Sequence, residues 1–168
     1  MKYLLYVVLI ILLVPLQAVM YDRLAIFGVH ADLALIAVCL IGLQAGELDA
    51  IIVGIVLGFT QDLFTGSAHW ENLWLKPMLG LIASLASHNV VNLTLSFSLA
   101  LLLALSVFSG SVMFLLKSLQ GPGVDFLAAA QGIILPQACY DAVLGIVVLK
   151  LMQWAMPTRL QVPTAGYE

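Results

Sequence analysis

The chain has 168 residues, of which 63% are hydrophobic and 9% charged, with six basic and nine acidic side chains and a net charge of −3. A soluble domain carries about a quarter charged residues because its surface faces water. So few charges argue against a soluble globular protein of this length and indicate a surface that faces hydrocarbon. The sequence has no basic patch for phosphates, which argues against nucleic-acid binding.

Six apolar segments follow one another along the chain, each ended by polar or helix-breaking residues. They predict an all-α integral membrane protein, a compact bundle of about six transmembrane helices that forms a single domain over residues 1–156. The predicted spans are residues 3–20, 31–44, 48–64, 73–91, 94–116 and 133–154, and residues 157–168 are predicted to form a short flexible tail. Lys and Arg divide equally between the two sides of such a bundle, so charge does not set its orientation.

The segment at residues 3–20 follows Lys2 and has some features of a signal peptide, but its cleavage pattern is poor and a retained helix is favoured. The second and third segments are separated by only three residues, which predicts a tight helical hairpin. The second covers only about 21 Å, too little for a lone span, and therefore indicates a tightly packed bundle. Residues 124–132 fit either an interfacial helix or the first turns of a long sixth span.

The third segment contains the most informative spacing. Gly54, Gly58 and Asp62 stand four residues apart and share one helix face. The two glycines form a groove that another helix can approach closely, either within the chain or from a partner. Asp62 is expected to act as a structural clamp by accepting hydrogen bonds from the turn around Gly66, an interpretation favoured over proton or ion handling.

Asp141 lies near the middle of the last segment, where a charge costs about 2.5–3.5 kcal/mol. Gln137 and Gly145 share its helix face, and Pro136 frees a backbone carbonyl one turn earlier. This stripe is predicted to face the bundle interior or a protein partner. A buried, protonated Asp in an interhelical hydrogen bond is favoured, and an acid that couples an ion to transport is the alternative.

No pattern in the sequence predicts a catalytic, cofactor or metal site. The three histidines stand at segment ends with no metal-ligand spacing. Cys39 and Cys139 both lie in apolar runs and are predicted to be buried thiols. Three tryptophans are predicted to form aromatic belts at the membrane boundaries, at positions 70, 74 and 154.

Four stretches carry a recognisable pattern: ADLALI at residues 31–36, LQAG at 43–46, GIVLGFTQDLFTGS at 54–67 and LPQACYD at 135–141. Together with the length and the six-span plan they resemble the rod shape-determining protein MreD family. Within that pattern Asp141 stands where the family more often has an amide.

The resemblance implies a non-enzymatic inner-membrane scaffold of the bacterial cell-elongation machinery. Its partners would be the lipid bilayer, the single-span scaffold protein MreC and, through MreC, MreB filaments and the RodA–PBP2 peptidoglycan synthase. A homodimer is left open. The alternative is a substrate-binding membrane subunit of a vitamin-type transporter, since such subunits are also six-span proteins of about this size.

Overall fold

The computed structural model describes residues 29–66, 69–88, 94–119 and 125–155, and these fold almost entirely into helices. Five helices follow in chain order: α1 (Leu33–Ala45), α2 (Glu47–Thr65), α3 (Glu71–His88), α4 (Leu95–Ser118) and α5, which runs without a break through Phe126–Ala129, a π-helical turn at Ala130–Ile134, and Leu135–Ala155. The all-α class predicted from the sequence is confirmed for these residues. The first predicted span and the predicted tail lie outside them.

Three of the five helices are long and apolar enough to cross a membrane: α2, α4 and the Phe126–Leu151 part of α5. Helix α1 has 13 residues and covers only about 20 Å. Helix α3 has 18 residues but contains several polar side chains, Lys76 among them. The predicted count of about six spans is therefore not confirmed. The boundaries of α1 to α4 lie within three residues of the predicted ones, whereas α5 begins seven residues before the predicted start at residue 133.

Short polar side chains cap the first turn of α1, α4 and α5, and glycines allow the turns at the two ends of α2. Asp32 accepts a hydrogen bond from Leu35 N at 3.0 Å and so caps α1. Gly46 joins α1 directly to α2 with a φ of 100°, and Gly66 ends α2 with a φ of 65°. Residues 124–132 were predicted to form either an interfacial helix or the first turns of a long last helix. The structure shows the long helix, because α5 begins at Phe126 and continues without a break.

Helix α1 is the central helix of the bundle. Ten of its 13 residues are buried, and its side chains contribute to both apolar core clusters. It is apolar on every side, with no polar face to turn outwards, which is typical of a helix enclosed by others. The other four helices pack around it.

Close contacts between the helices give their directions. Gly42 and Gly80 bring α1 and α3 together in parallel, and α2 runs antiparallel to both, because Gly54 meets Pro77 while Gly58 meets Asn72. Helix α4 likewise runs antiparallel to α5. We call the end of the bundle that holds Gly46 the α1–α2 end, and the opposite end, which holds Gly66, the α2–α3 end.

The distribution of side chains is inverted relative to that of a soluble protein. Large apolar side chains are exposed on α2, α3, α4 and α5, with Ile52, Trp74 and Val143 each more than half exposed. Asp62, Lys76 and Asp141, by contrast, are almost fully buried. In water, so much exposed apolar surface is unfavourable, whereas in hydrocarbon the apolar side chains face outwards and the charged ones pair inside the bundle.

Candidate functional site

A buried ion pair joins the start of α1 to α3. The side chain of Lys76 is fully buried, and its Nζ pairs with Asp32 Oδ2. The other carboxylate oxygen of Asp32 accepts the α1 capping bond from Leu35 N. Asp32 therefore sits where the positive end of the α1 dipole and the Lys76 ammonium group both favour its charge.

The same place receives a second acid from α5. Asp141 is fully buried, and its Oδ1 accepts a 2.7 Å hydrogen bond from Asp32 N. Its Oδ2 is hydrogen-bonded to Ser106 Oγ of α4 at 2.5 Å. The polar stripe predicted around Asp141 thus faces the bundle interior at this residue.

These four residues form a continuous chain of contacts, Lys76–Asp32–Asp141–Ser106, which we call the buried network. It joins α3, α1, α5 and α4, four of the five described helices. Counted along each helix at 1.5 Å per residue, all four residues lie roughly 16–21 Å from the α1–α2 end. The network is therefore well inside the length of the bundle, and the only described helix outside it is α2.

A further acid, Asp62, is buried in the described part of the chain and connects α2 to the beginning of α3. Its Oδ1 accepts hydrogen bonds from Asn72 N at 3.2 Å and Asn72 Nδ2 at 2.8 Å, and its Oδ2 accepts one from Leu73 N at 2.9 Å. Gly66 N instead bonds the backbone carbonyl of Asp62. A structural clamp was predicted here, but its partners are the first turn of α3 rather than the turn around Gly66.

The glycine groove of α2 is filled by α3 of the same chain. A Cβ on Gly54 would lie 2.6 Å from Pro77 Cα, and one on Gly58 would overlap the carbonyl of Asn72. The kink-forming Pro77 packs where Gly54 offers no side chain. This face is thus a helix-packing surface within the chain, and a partner helix has no room in it.

The four residues of α5 that were predicted to form a polar stripe do not all face the bundle interior. Asp141 and Gly145 are buried, and a Cβ on Gly145 would meet the side chain of Leu102 in α4. Gln137 is half-buried and Pro136 is exposed. Pro136 follows the π-helical turn, a feature that often marks functional positions in helices.

The two cysteines differ in their environment, and two of the tryptophans are exposed. Cys39 is buried as predicted, but Cys139 is exposed, because it lies on the outer face of α5, so the prediction of a buried thiol is wrong there. Trp70 and Trp74 are exposed near the α2–α3 end, where Trp70 stacks on Phe59 with ring centroids 5.3 Å apart. The side chain of Trp154 lies outside the described part of the structure.

Sequence reasoning missed most of the buried network. Lys76 lies within the predicted fourth span, residues 73–91, and Ser106 within the fifth, residues 94–116, but the sequence predicts no pairing for either side chain. The available signal was that Asp32 and Lys76 are charged residues inside predicted spans, where ionisable side chains usually pair with one another. The sequence does not show that these residues pair, since Asp32 is 44 positions away from Lys76 and 109 positions away from Asp141.

No group of three or more His, Cys, Asp or Glu side chains in the described ranges is placed to hold a metal ion. Comparisons with protein-family models, with curated proteins and with solved structures found no match to this chain.

Proposed function

We propose that this protein is a non-enzymatic membrane scaffold of the bacterial cell-elongation machinery, similar to MreD and located in the inner membrane. In this role it docks the transmembrane helix of MreC and, through MreC, associates with MreB filaments and the RodA–PBP2 peptidoglycan synthase. The three long apolar helices and the apolar exterior support a membrane location.

The proposal rests mainly on the positions, in the structure, of the residues that resemble the MreD family. Asp32, Gly54, Gly58, Asp62 and Asp141 all belong to the stretches that resemble the MreD family. Each of them lies at a contact between helices, as an ion-pair partner, a hydrogen-bond acceptor or a site of close backbone approach. The pattern thus consists of residues that assemble a bundle, which favours a scaffold over an enzyme.

The charged side chains support the same conclusion. Lys76, Asp32, Asp62 and Asp141 are each bonded to groups of this chain, so their charge and hydrogen-bonding capacity are used between helices. Because the glycine groove is filled by α3, partner docking by this scaffold uses an exposed face of another helix. The long helices α4 and α5 offer large exposed apolar side chains for it, among them Phe108, Ile133 and Val147.

The proposal is tested in a rod-shaped bacterium whose own MreD is depleted. Expression of this chain is expected to restore rod shape, and affinity purification in mild detergent is expected to recover MreC with it. The negative control is the variant Asp62→Ala, which loses the α2–α3 clamp and is therefore expected to restore rod shape less well. Cells that stay round, together with a purified, folded chain that recovers no MreC, would contradict the scaffold role.

A transporter subunit is the second candidate, and the observation that favours it is a pair of acids deep inside the bundle, Asp32 and Asp141. Intramembrane acids of this kind couple ions in transporters. A vitamin-sized solute that raises the melting temperature of the purified protein would favour transport. The scaffold role predicts no such stabilisation and normal function for Asp141→Asn.

A further inference from the structure

The buried network has unequal numbers of basic and acidic groups. Lys76 supplies one positive charge, while Asp32 and Asp141 can supply two negative charges, and the exposed fractions of the Lys76, Asp32 and Asp141 side chains are 0%, 13% and 0%. If both acids were ionised, one negative charge would remain unbalanced inside the bundle. An isolated buried charge is so costly that a buried carboxyl group usually takes up a proton instead.

Hydrogen-bond geometry indicates which acid carries the proton. Both oxygens of Asp32 face donors, Lys76 Nζ and Leu35 N, so neither is free to donate. Asp141 Oδ1 also faces a donor, the backbone N–H of Asp32. Asp141 Oδ2, however, faces the hydroxyl of Ser106, a group that accepts as readily as it donates.

We propose that Asp141 is protonated on Oδ2 and donates a hydrogen bond to Ser106 Oγ, so that the buried network carries no net charge. The protonated side chain then works as a proton-dependent lock that joins helices α4 and α5 to helices α1 and α3. In this state Lys76 and Asp32 form the ion pair, and Asp141 is a neutral bridge that accepts from α1 and donates to α4. Loss of the proton leaves two ionised carboxyl groups close together, because Asp141 is bonded to the backbone N–H of Asp32, and a single ammonium group, that of Lys76, opposes them.

The groups that face Asp141 from the packed helices determine the direction of the pH effect. Helix α1 contributes Asp32 and the buried thiol of Cys39, α3 contributes Lys76, and α4 contributes Ser106. His30 precedes Asp32 by two residues and is half-buried. With one ammonium group and one carboxylate already paired, ionisation of Asp141 adds an unbalanced charge. The lock is therefore strongest at acidic pH and weakens as the pH rises.

The proton is observed directly by infrared spectroscopy of the full-length protein in detergent. A protonated carboxyl group has a carbonyl stretch separate from carboxylate bands. We expect this band at neutral pH in the wild type, its loss in Asp141→Asn and a shift in its frequency in Ser106→Ala. Absence of the band from the folded wild-type protein at about pH 7, where exposed acids are ionised, would overturn the proposal.

Thermal unfolding at different pH values tests the lock. The wild-type midpoint is expected to fall by about 5 °C or more between about pH 5 and about pH 8, because the unfolded chain has already released the Asp141 proton there while the folded protein retains it. Asp141→Asn keeps an acceptor for Asp32 N and a donor for Ser106, so this variant is expected to lose most of that fall. Asp125→Asn is the matched control, because Asp125 is exposed, caps α5 and is replaced by an equally good cap. An identical fall in wild type and Asp141→Asn would also contradict the lock.

Discussion

At the scale of single residues, the structure depends strongly on Lys76, whose side chain is fully buried and paired with Asp32. Replacement of Lys76 by Met keeps a long apolar side chain but leaves the Asp32 carboxylate without its counter-ion. Breaking a buried ion pair from one side typically costs about 3–5 kcal/mol. We therefore expect Lys76→Met to lower the thermal unfolding midpoint strongly in detergent.

Two further variants make the Lys76 result interpretable. In the double variant Lys76→Met with Asp32→Asn, residue 32 still caps α1 but no unpaired charge remains, so much of the lost stability is expected to return. Lys150→Met removes an exposed lysine from α5 and is expected to change stability by no more than about 0.5 kcal/mol. If Lys76→Met is as mild as Lys150→Met, the ion pair does not stabilise the fold.

Asp62 gives a second prediction at this scale. Its carboxylate accepts three hydrogen bonds from the first turn of α3. Asp62→Ala leaves those donors without partners, at a cost of about 1–3 kcal/mol for each buried group left unsatisfied. Thr65→Ala is the nearby control, because the Thr65 hydroxyl bonds only carbonyls of its own helix turn. Equal unfolding midpoints for the two variants would contradict the clamp.

The sequence identified Asp62 and Asp141 as unusual because an acid in or next to an apolar run needs an explanation. It did not identify their partners. Asn72, Ser106 and the backbone of Asp32 are ordinary groups whose importance arises only when distant helices meet. The acids were thus predictable from local chemistry, whereas the hydrogen bonds required the tertiary structure.

At the scale of helices, the α2–α3 packing depends on the absence of a side chain at Gly58. An added Cβ would overlap the backbone of Asn72, which cannot rotate away as a side chain can. Gly58→Ala is expected to separate the two helices locally and to destabilise the protein by about 1–3 kcal/mol, as overpacking generally does. The measurement is again the unfolding midpoint in detergent.

Gly132 provides the matched control on α5. A Cβ there would meet nothing within 4 Å, and Ala is a better helix former than Gly by about 1 kcal/mol. Gly132→Ala is therefore expected to be neutral or slightly stabilising. A Gly58→Ala protein as stable as Gly132→Ala would show that α2 and α3 do not approach as closely as described.

Helix boundaries were predictable because polar caps and glycines interrupt the apolar runs. The number of helices able to span a membrane was not, because α1 is short and α3 contains Lys76 and other polar side chains. Each is accommodated only by its neighbours: α1 is enclosed by the other helices, and Asp32 neutralises Lys76. Hydropathy alone treats these helices as independent spans and so cannot describe them.

At the scale of the whole molecule, the alternating helix directions place each connection at one of two ends. The turn at Gly46 and the end of α3 lie at the α1–α2 end, whereas the turn after Gly66 and the end of α4 lie at the opposite end. If the bundle spans a membrane, as we propose, Glu47 and His88 face one compartment while His69 and Lys117 face the other. The exposed position of all four side chains makes them suitable for labelling.

Single cysteines at these four positions test this arrangement, in a background in which Cys39 and Cys139 are replaced by Ala. A membrane-impermeant maleimide added to intact cells is expected to label one pair only, and permeabilised cells are expected to show labelling of the other pair as well. Cysteines at Ile55 and Val143, which are exposed on the apolar surface well away from the helix ends, are expected to resist the reagent in both cases because lipid excludes it. Labelling of Glu47→Cys and His69→Cys from the same side would mean that α2 does not cross the bilayer. The exposed apolar side chains and the buried charged ones would then have to be explained by contact with something other than a bilayer that the helices cross.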